Sequence, residues 1–63
     1  MNNWIFCYRK DSASDYTKKT YPSTIQINRN NVTEISLYDD CIEIEYTNQK
    51  SRRFNFSEWE IKL

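Results

Sequence analysis

The chain has 63 residues and a mass of 7.7 kDa, which is room for one small domain over residues 1–63 and too little for a second. Nine Lys and Arg balance nine Asp and Glu, and this neutrality argues against bulk nucleic-acid binding through counterion release. The sequence holds no His and no Gly, which removes imidazole bases, His metal ligands, P-loops and Gly-rich dinucleotide turns.

Aromatic residues make up 16% of the chain despite a mean hydropathy of −0.93, so a folded domain is expected rather than a solvated, disordered one. Trp4 to Tyr8 reads as a first strand, apolar on both faces, with Cys7 inside it. The apolar run is too short for a signal segment or a membrane span, so the protein is expected to stay in the cytoplasm. Cys7 and Cys41 stand alone in sequence and read as reduced packing residues. The segment 9–23 has no periodicity and is expected to be a long polar loop, the class of loop that often carries function. In it Lys18 and Lys19 lie between Tyr16 and Tyr21, which combines ammonium groups for phosphate with phenol rings for stacking.

From Thr24 onward apolar and polar residues alternate with period two: Ile25, Ile27; Ile35, Leu37; Ile42, Ile44, Tyr46; Phe54, Phe56. That pattern predicts half-buried strands in an antiparallel meander. Asn30-Asn31, Asp39-Asp40 and the stretch from Thr47 to Ser51 supply the turns, with Asn and Asp expected at left-handed positions in the absence of Gly. A two-residue Asp39-Asp40 loop sets Leu37 against Ile42 and Ile35 against Ile44. A three-residue loop from Asn30 to Val32 sets Ile27 against Ile35 and Ile25 against Leu37. A loop within Thr47 to Ser51 brings Ile44 to Phe54 and Ile42 to Phe56. On the other face Glu34 then opposes Glu45, with Arg53 expected to compensate Glu45. The apolar positions change parity near Ser57-Glu58, which predicts a corner leading to a final strand around Trp59, Ile61 and Leu63.

The fold expected is therefore all-β: an antiparallel meander of five or six strands, curled into a barrel or stacked as a sandwich in a dimer. Short chains without a disulfide or metal staple are marginal alone. A homodimer is accordingly expected, with Trp4 or Phe6 and the tail residues Trp59, Ile61 and Leu63 at its interface.

Charge is segregated along the chain: residues 31–49 hold five anions and no cation, between basic flanks. The first functional reading is a non-enzymatic protein that sequesters a small anionic nucleotide-type ligand, with Tyr16, Lys18, Lys19, Tyr21, Arg52, Trp4 and Trp59 as candidate contacts. The alternative is a protein-binding inhibitor that presents Glu34, Asp39, Asp40, Glu43 and Glu45 to a basic partner such as a nucleic-acid-binding or defence protein. No catalytic constellation, metal site or cofactor is expected, because no His can activate the thiols or hydroxyls and the acidic turn lacks a Ca²⁺ loop framework. In size and in its wealth of Asn, Lys, Ile and Tyr the chain resembles small all-β proteins of AT-rich bacteria and phages. Those include inhibitors of host defence that block a protein or soak up a nucleotide signal, which is what the resemblance implies here.

Overall fold

The structure, a computed structural model, describes residues 3–48 and 50–63. The first strand, β1 (Trp4–Arg9), is followed by a short helix α1 (Asp15–Thr20), strand β2 (Thr24–Asn28) and a 3-10 turn (Arg29–Asn31). Strands β3 (Val32–Leu37), β4 (Cys41–Tyr46), β5 (Arg52–Asn55) and β6 (Trp59–Lys62) complete the described elements. They form two three-stranded antiparallel sheets, one ordered β2-β1-β6 and the other β3-β4-β5. The protein is thus a small, mostly β fold, and its described strands do not close into a barrel.

Alternation puts one face of each sheet into a common core. Ile5, Cys7, Ile25, Ile27 and Trp59 come from the first sheet and Ile42, Ile44 and Phe54 from the second, all buried in one cluster. The apolar face of the second sheet is therefore covered by the first sheet of the same chain, without a stacked copy. On the outer face of the first sheet β1 carries Trp4, Phe6 and Tyr8, with the Phe6 and Tyr8 rings stacked at 6.1 Å. Within its sheet β1 lies between β2 and β6 of its own chain.

The β3–β4 hairpin has the predicted register: Leu37 opposes Ile42, Ile35 opposes Ile44 and Glu34 opposes Glu45. Other pairings differ. Strand β2 pairs with β1, with Ile27 opposite Ile5 and Ile25 opposite Cys7, so the expected hairpin between β2 and β3 is absent. The cause is local. The Asn28 side chain accepts from the Asn30 N–H at 3.0 Å and starts the 3-10 turn, while the Arg29 N–H extends the β1 ladder by donating to the Asn3 carbonyl. The chain thereby leaves one sheet and enters the other instead of folding back.

The β4–β5 register is shifted by two residues from expectation, with Ile42 opposite Phe54 and Ile44 opposite Arg52. A two-residue shift keeps every side chain on its face. The loop is set by Thr47, whose N–H and hydroxyl both donate to the Asn31 carbonyl. Phe56 leaves the strand for the corner before β6, its N–H bonded to the Asp40 carbonyl. Nor do Asn and Asp occupy left-handed positions: no described residue has a positive φ. Leu37, expected in the apolar row, is 72% exposed at the end of its strand.

The segment 9–23 is not simply a loop. Ser14 caps α1, its Oγ accepting from the Thr17 N–H, and Ala13 and Thr17 are the buried residues of this region. Six residues are too few to show a helical period and too few to be stable in isolation. The segment is fastened instead by long-range bonds. The Lys10 N–H donates to the Glu58 carbonyl, its Nζ to the Phe56 carbonyl and the Ser12 hydroxyl to the Ser57 carbonyl.

Burial separates two residues that alternation placed on one face. Ile44 is fully buried and Leu37 is not. Ile44→Ala should destabilise the protein by about 3 kcal/mol, and Leu37→Ala by less than about 0.5 kcal/mol. Urea midpoints at unchanged m-values measure both.

Candidate functional site

Arg52 occupies an inward-facing position at the start of β5, in line with Phe54 and opposite Ile44. A guanidinium there cannot enter the core unpaired, so it lies over aromatic faces at the core's mouth. Its Cζ is 5.1 Å from the Tyr21 ring centroid and 5.9 Å from that of Phe54. Beneath it Trp59 meets both rings edge-on, at 6.1 Å from Tyr21 and 5.6 Å from Phe54. The ion pairs among the described residues are Arg53 with Glu43 and Lys62 with Glu60, so Arg52 and Lys50 have no carboxylate partner there.

Tyr21 reaches Arg52 because α1 is held at both ends. At its start the Glu58 carboxylate accepts from the Thr17 hydroxyl at 2.7 Å and from the Ser14 N–H at 3.1 Å. At its end Arg9 Nη1 donates to the Tyr21 carbonyl at 2.9 Å and to that of Lys18 at 3.3 Å. A carboxylate at the first turn and a cation at the last both complement the helix dipole.

Two cavities meet at Arg52. The larger, about 650 Å³, lies where the two sheets splay apart. Strand β2 contributes Ile25 to Asn28, the 3-10 turn Asn31, and the β4–β5 hairpin Tyr46, Thr47, Asn48, Lys50 and Arg52. Its described lining holds two cations and no carboxylate. The smaller cavity, about 280 Å³, lies between α1 and the β5–β6 corner and is lined by Tyr16, Tyr21, Arg52, Arg53, Glu58 and Trp59 among others.

The structure thus gathers Tyr16, Tyr21, Arg52 and Trp59 around the smaller cavity. Trp59 serves mostly as core, only 4% exposed, and so is no free stacking platform. Lys18 and Lys19 are exposed on the last turn of α1 and line neither cavity. Trp4 lies on the outer face of the first sheet, on the opposite side of β1 from the core. Lys50, Gln26, Asn28, Asn31 and Asn48 line the larger cavity but read as turn or polar-face residues in the sequence, and Tyr46, which also lines it, reads as part of an apolar row. The sequence signal that reaches them is the basic flank that follows the acidic stretch 31–49.

Glu34, Glu43 and Glu45 share the outer face of the second sheet, with Asp39 and Asp40 at its hairpin end. Arg53 opposes Glu43, not Glu45 as expected, and pairs with it at 3.6 Å; Glu45 instead accepts from the Thr33 hydroxyl at 3.0 Å. The two-residue shift of β5 accounts for the change.

Both cysteines are buried free thiols. Burial pushes the Cys7 thiol up to about 11, against the opposing charge of Arg52. Cys41 is also raised, by burial first and then by the Asp40 carboxylate. The Tyr46 phenol is raised by burial, with Arg52 beside it acting in the opposite direction. These groups stay protonated near neutrality and are poor nucleophiles.

No family model, curated protein or solved structure matches the chain. No helix among the described residues is long and apolar enough to cross a membrane.

Glu58 ionises more easily than an ordinary carboxyl because Ser14, then Thr17, hydrogen-bond its charged form. A lowered folded pKa contributes stability above the ordinary value of 4.5, and that contribution is lost as pH falls through the folded value. Glu58→Gln should flatten that acid limb and lower stability near pH 7, as measured by urea unfolding across pH 2 to 7 on the usual carboxyl titration range.

Proposed function

We propose that the protein is a non-enzymatic binding protein that sequesters a small anionic nucleotide-type ligand, held in the cavity between β2 and the β4–β5 hairpin. The observation that carries the reading is Arg52. It lies over aromatic faces with the Tyr46 phenol beside its guanidinium and no carboxylate paired with it, so its charge is not neutralised at the junction of the two cavities. Lys50 adds a second cation, and a volume near 650 Å³ is within the range of small-molecule sites. Neutral overall charge is compatible with this, since a small anion needs only a few converging cations. Sequestration alone would silence a signal by lowering its free concentration.

A second reading has its own support. Leu37 and Tyr38 are exposed beside Asp39 and Asp40, on the hairpin whose outer face carries Glu34, Glu43 and Glu45. Apolar anchors within an acidic field suit a basic protein surface. Calorimetric titration with cyclic dinucleotides and ADP-ribose-type cyclic nucleotides separates the two. Binding that Arg52→Ala weakens at least about ten-fold, as expected for a lost charged hydrogen bond, and that Glu43→Lys with Glu45→Lys leaves intact, supports the cavity. Flat titrations across the panel remove it.

The proposal includes a homodimer, now assigned to the outer face of the first sheet, where Trp4, Phe6 and Tyr8 form one aromatic row flanked by Glu60 and Lys62. Trp59 cannot take part, being buried in the core. Aromatic rows of this kind commonly mark an interface. Sedimentation at micromolar concentration should give twice 7.7 kDa, and Phe6→Lys should return the monomer; a monomeric wild type sinks the dimer and leaves the cavity standing.

A further inference from the structure

Strand β2 is an edge strand, and its direction of pairing can be worked out. The Arg9 N–H donates to the Ser23 carbonyl and the Arg29 N–H to the Asn3 carbonyl. In an antiparallel ladder such pairs alternate with non-bonded ones. Cys7–Ile25 and Ile5–Ile27 are therefore the bonded pairs between these two ends, in agreement with the register. It follows that Thr24 and Gln26 direct both N–H and C=O away from β1, toward the free edge. Gln26 lines the large cavity, across from the β4–β5 hairpin that supplies Lys50 and Arg52. Among the described residues no other hydrogen bond engages the Gln26 main chain.

An outward-facing residue in an extended strand offers a donor and an acceptor side by side, the arrangement a neighbouring strand would use. Nucleobases present the same pair in reverse on their Watson–Crick edge. We propose that the free edge of β2 reads the base of a nucleoside phosphate: the Gln26 N–H and C=O pair with the base edge while Lys50 and Arg52 hold the phosphate. This rests on the ligand reading above and deepens it. It requires a base, and it assigns recognition to the main chain of Gln26 rather than to its side chain. It also gives the splayed sheets a role, since a closed β2 edge could bind nothing.

The test uses three monophosphates of similar charge: uridine 5′-monophosphate, its N3-methyl derivative, in which the base edge has lost its donor, and ribose 5-phosphate. Two hydrogen bonds are worth about ten-fold in affinity, so the first should bind about ten-fold tighter than the other two. Gln26→Pro removes the outward N–H without touching the β1 ladder, a placement that edge strands tolerate, and should reduce uridine monophosphate to the affinity of ribose 5-phosphate. Gln26→Ala keeps the main chain and should bind like the wild type. Equal affinity for all three compounds overturns base reading and leaves an anion cavity. So does a Gln26→Ala loss equal to that of Gln26→Pro, since it would move recognition to the side chain. Should Gln26→Pro unfold, the comparison of the three ligands on the wild type decides by itself. Failure of uridine monophosphate to bind overturns the inference, and failure of the cyclic nucleotides as well removes the cavity reading with it.

Discussion

A chain without glycine, in which no described residue takes a positive φ, must turn its strands with right-handed residues alone. The primed two-residue turns that best match strand twist need positive φ, and among the described residues they are not used. The consequences reach the whole molecule. At Asn28 the chain makes a capped 3-10 turn and crosses to a second sheet rather than reversing onto its own edge. Because β2 does not pair with β3, the two sheets share a core but splay at this corner. The free edge of β2 and the large cavity are both products of that crossing.

Arg52 works at the other side of the same corner. An inward-facing arginine at a strand's end would be costly as an unpaired buried charge. Stacking on Tyr21 and Phe54 keeps it at the mouth, where such contacts are worth about 0.5–2 kcal/mol each, the larger values applying when desolvated. That stacking needs Tyr21 in place, which needs α1, which in turn needs Glu58 at its first turn and Arg9 at its last. A helix of six residues has little stability of its own. Its order comes from groups far along the chain, and the exposed aromatic and cationic groups of the corner are thereby held in position. The carboxylates of the second sheet project from its outer face, while Arg52 stays on the inner one, so the two charge populations remain separate except at Arg53 and Glu43.

Much of the architecture was legible in the residues themselves. Strict alternation in Ile35, Leu37, Ile42 and Ile44 determined the β3–β4 register, because a one-residue slip would set the apolar positions of one strand against the polar positions of the other. The parity change after Phe56 marked the corner before β6, and the even position of Arg52 placed it with Phe54 on the apolar side. Those are local facts, set by period and by near neighbours. Tertiary structure alone decided the rest: that β2 pairs with β1, that Tyr21 meets Arg52, and that Lys50, Tyr46, Gln26, Asn28 and Asn31 converge on one cavity. Each depends on contacts between segments distant in sequence, through bonds to carbonyls such as Asn31 and Glu58 that any residue could supply. Main-chain groups have no letter in a sequence, and here they place the turns, the helix and the open edge.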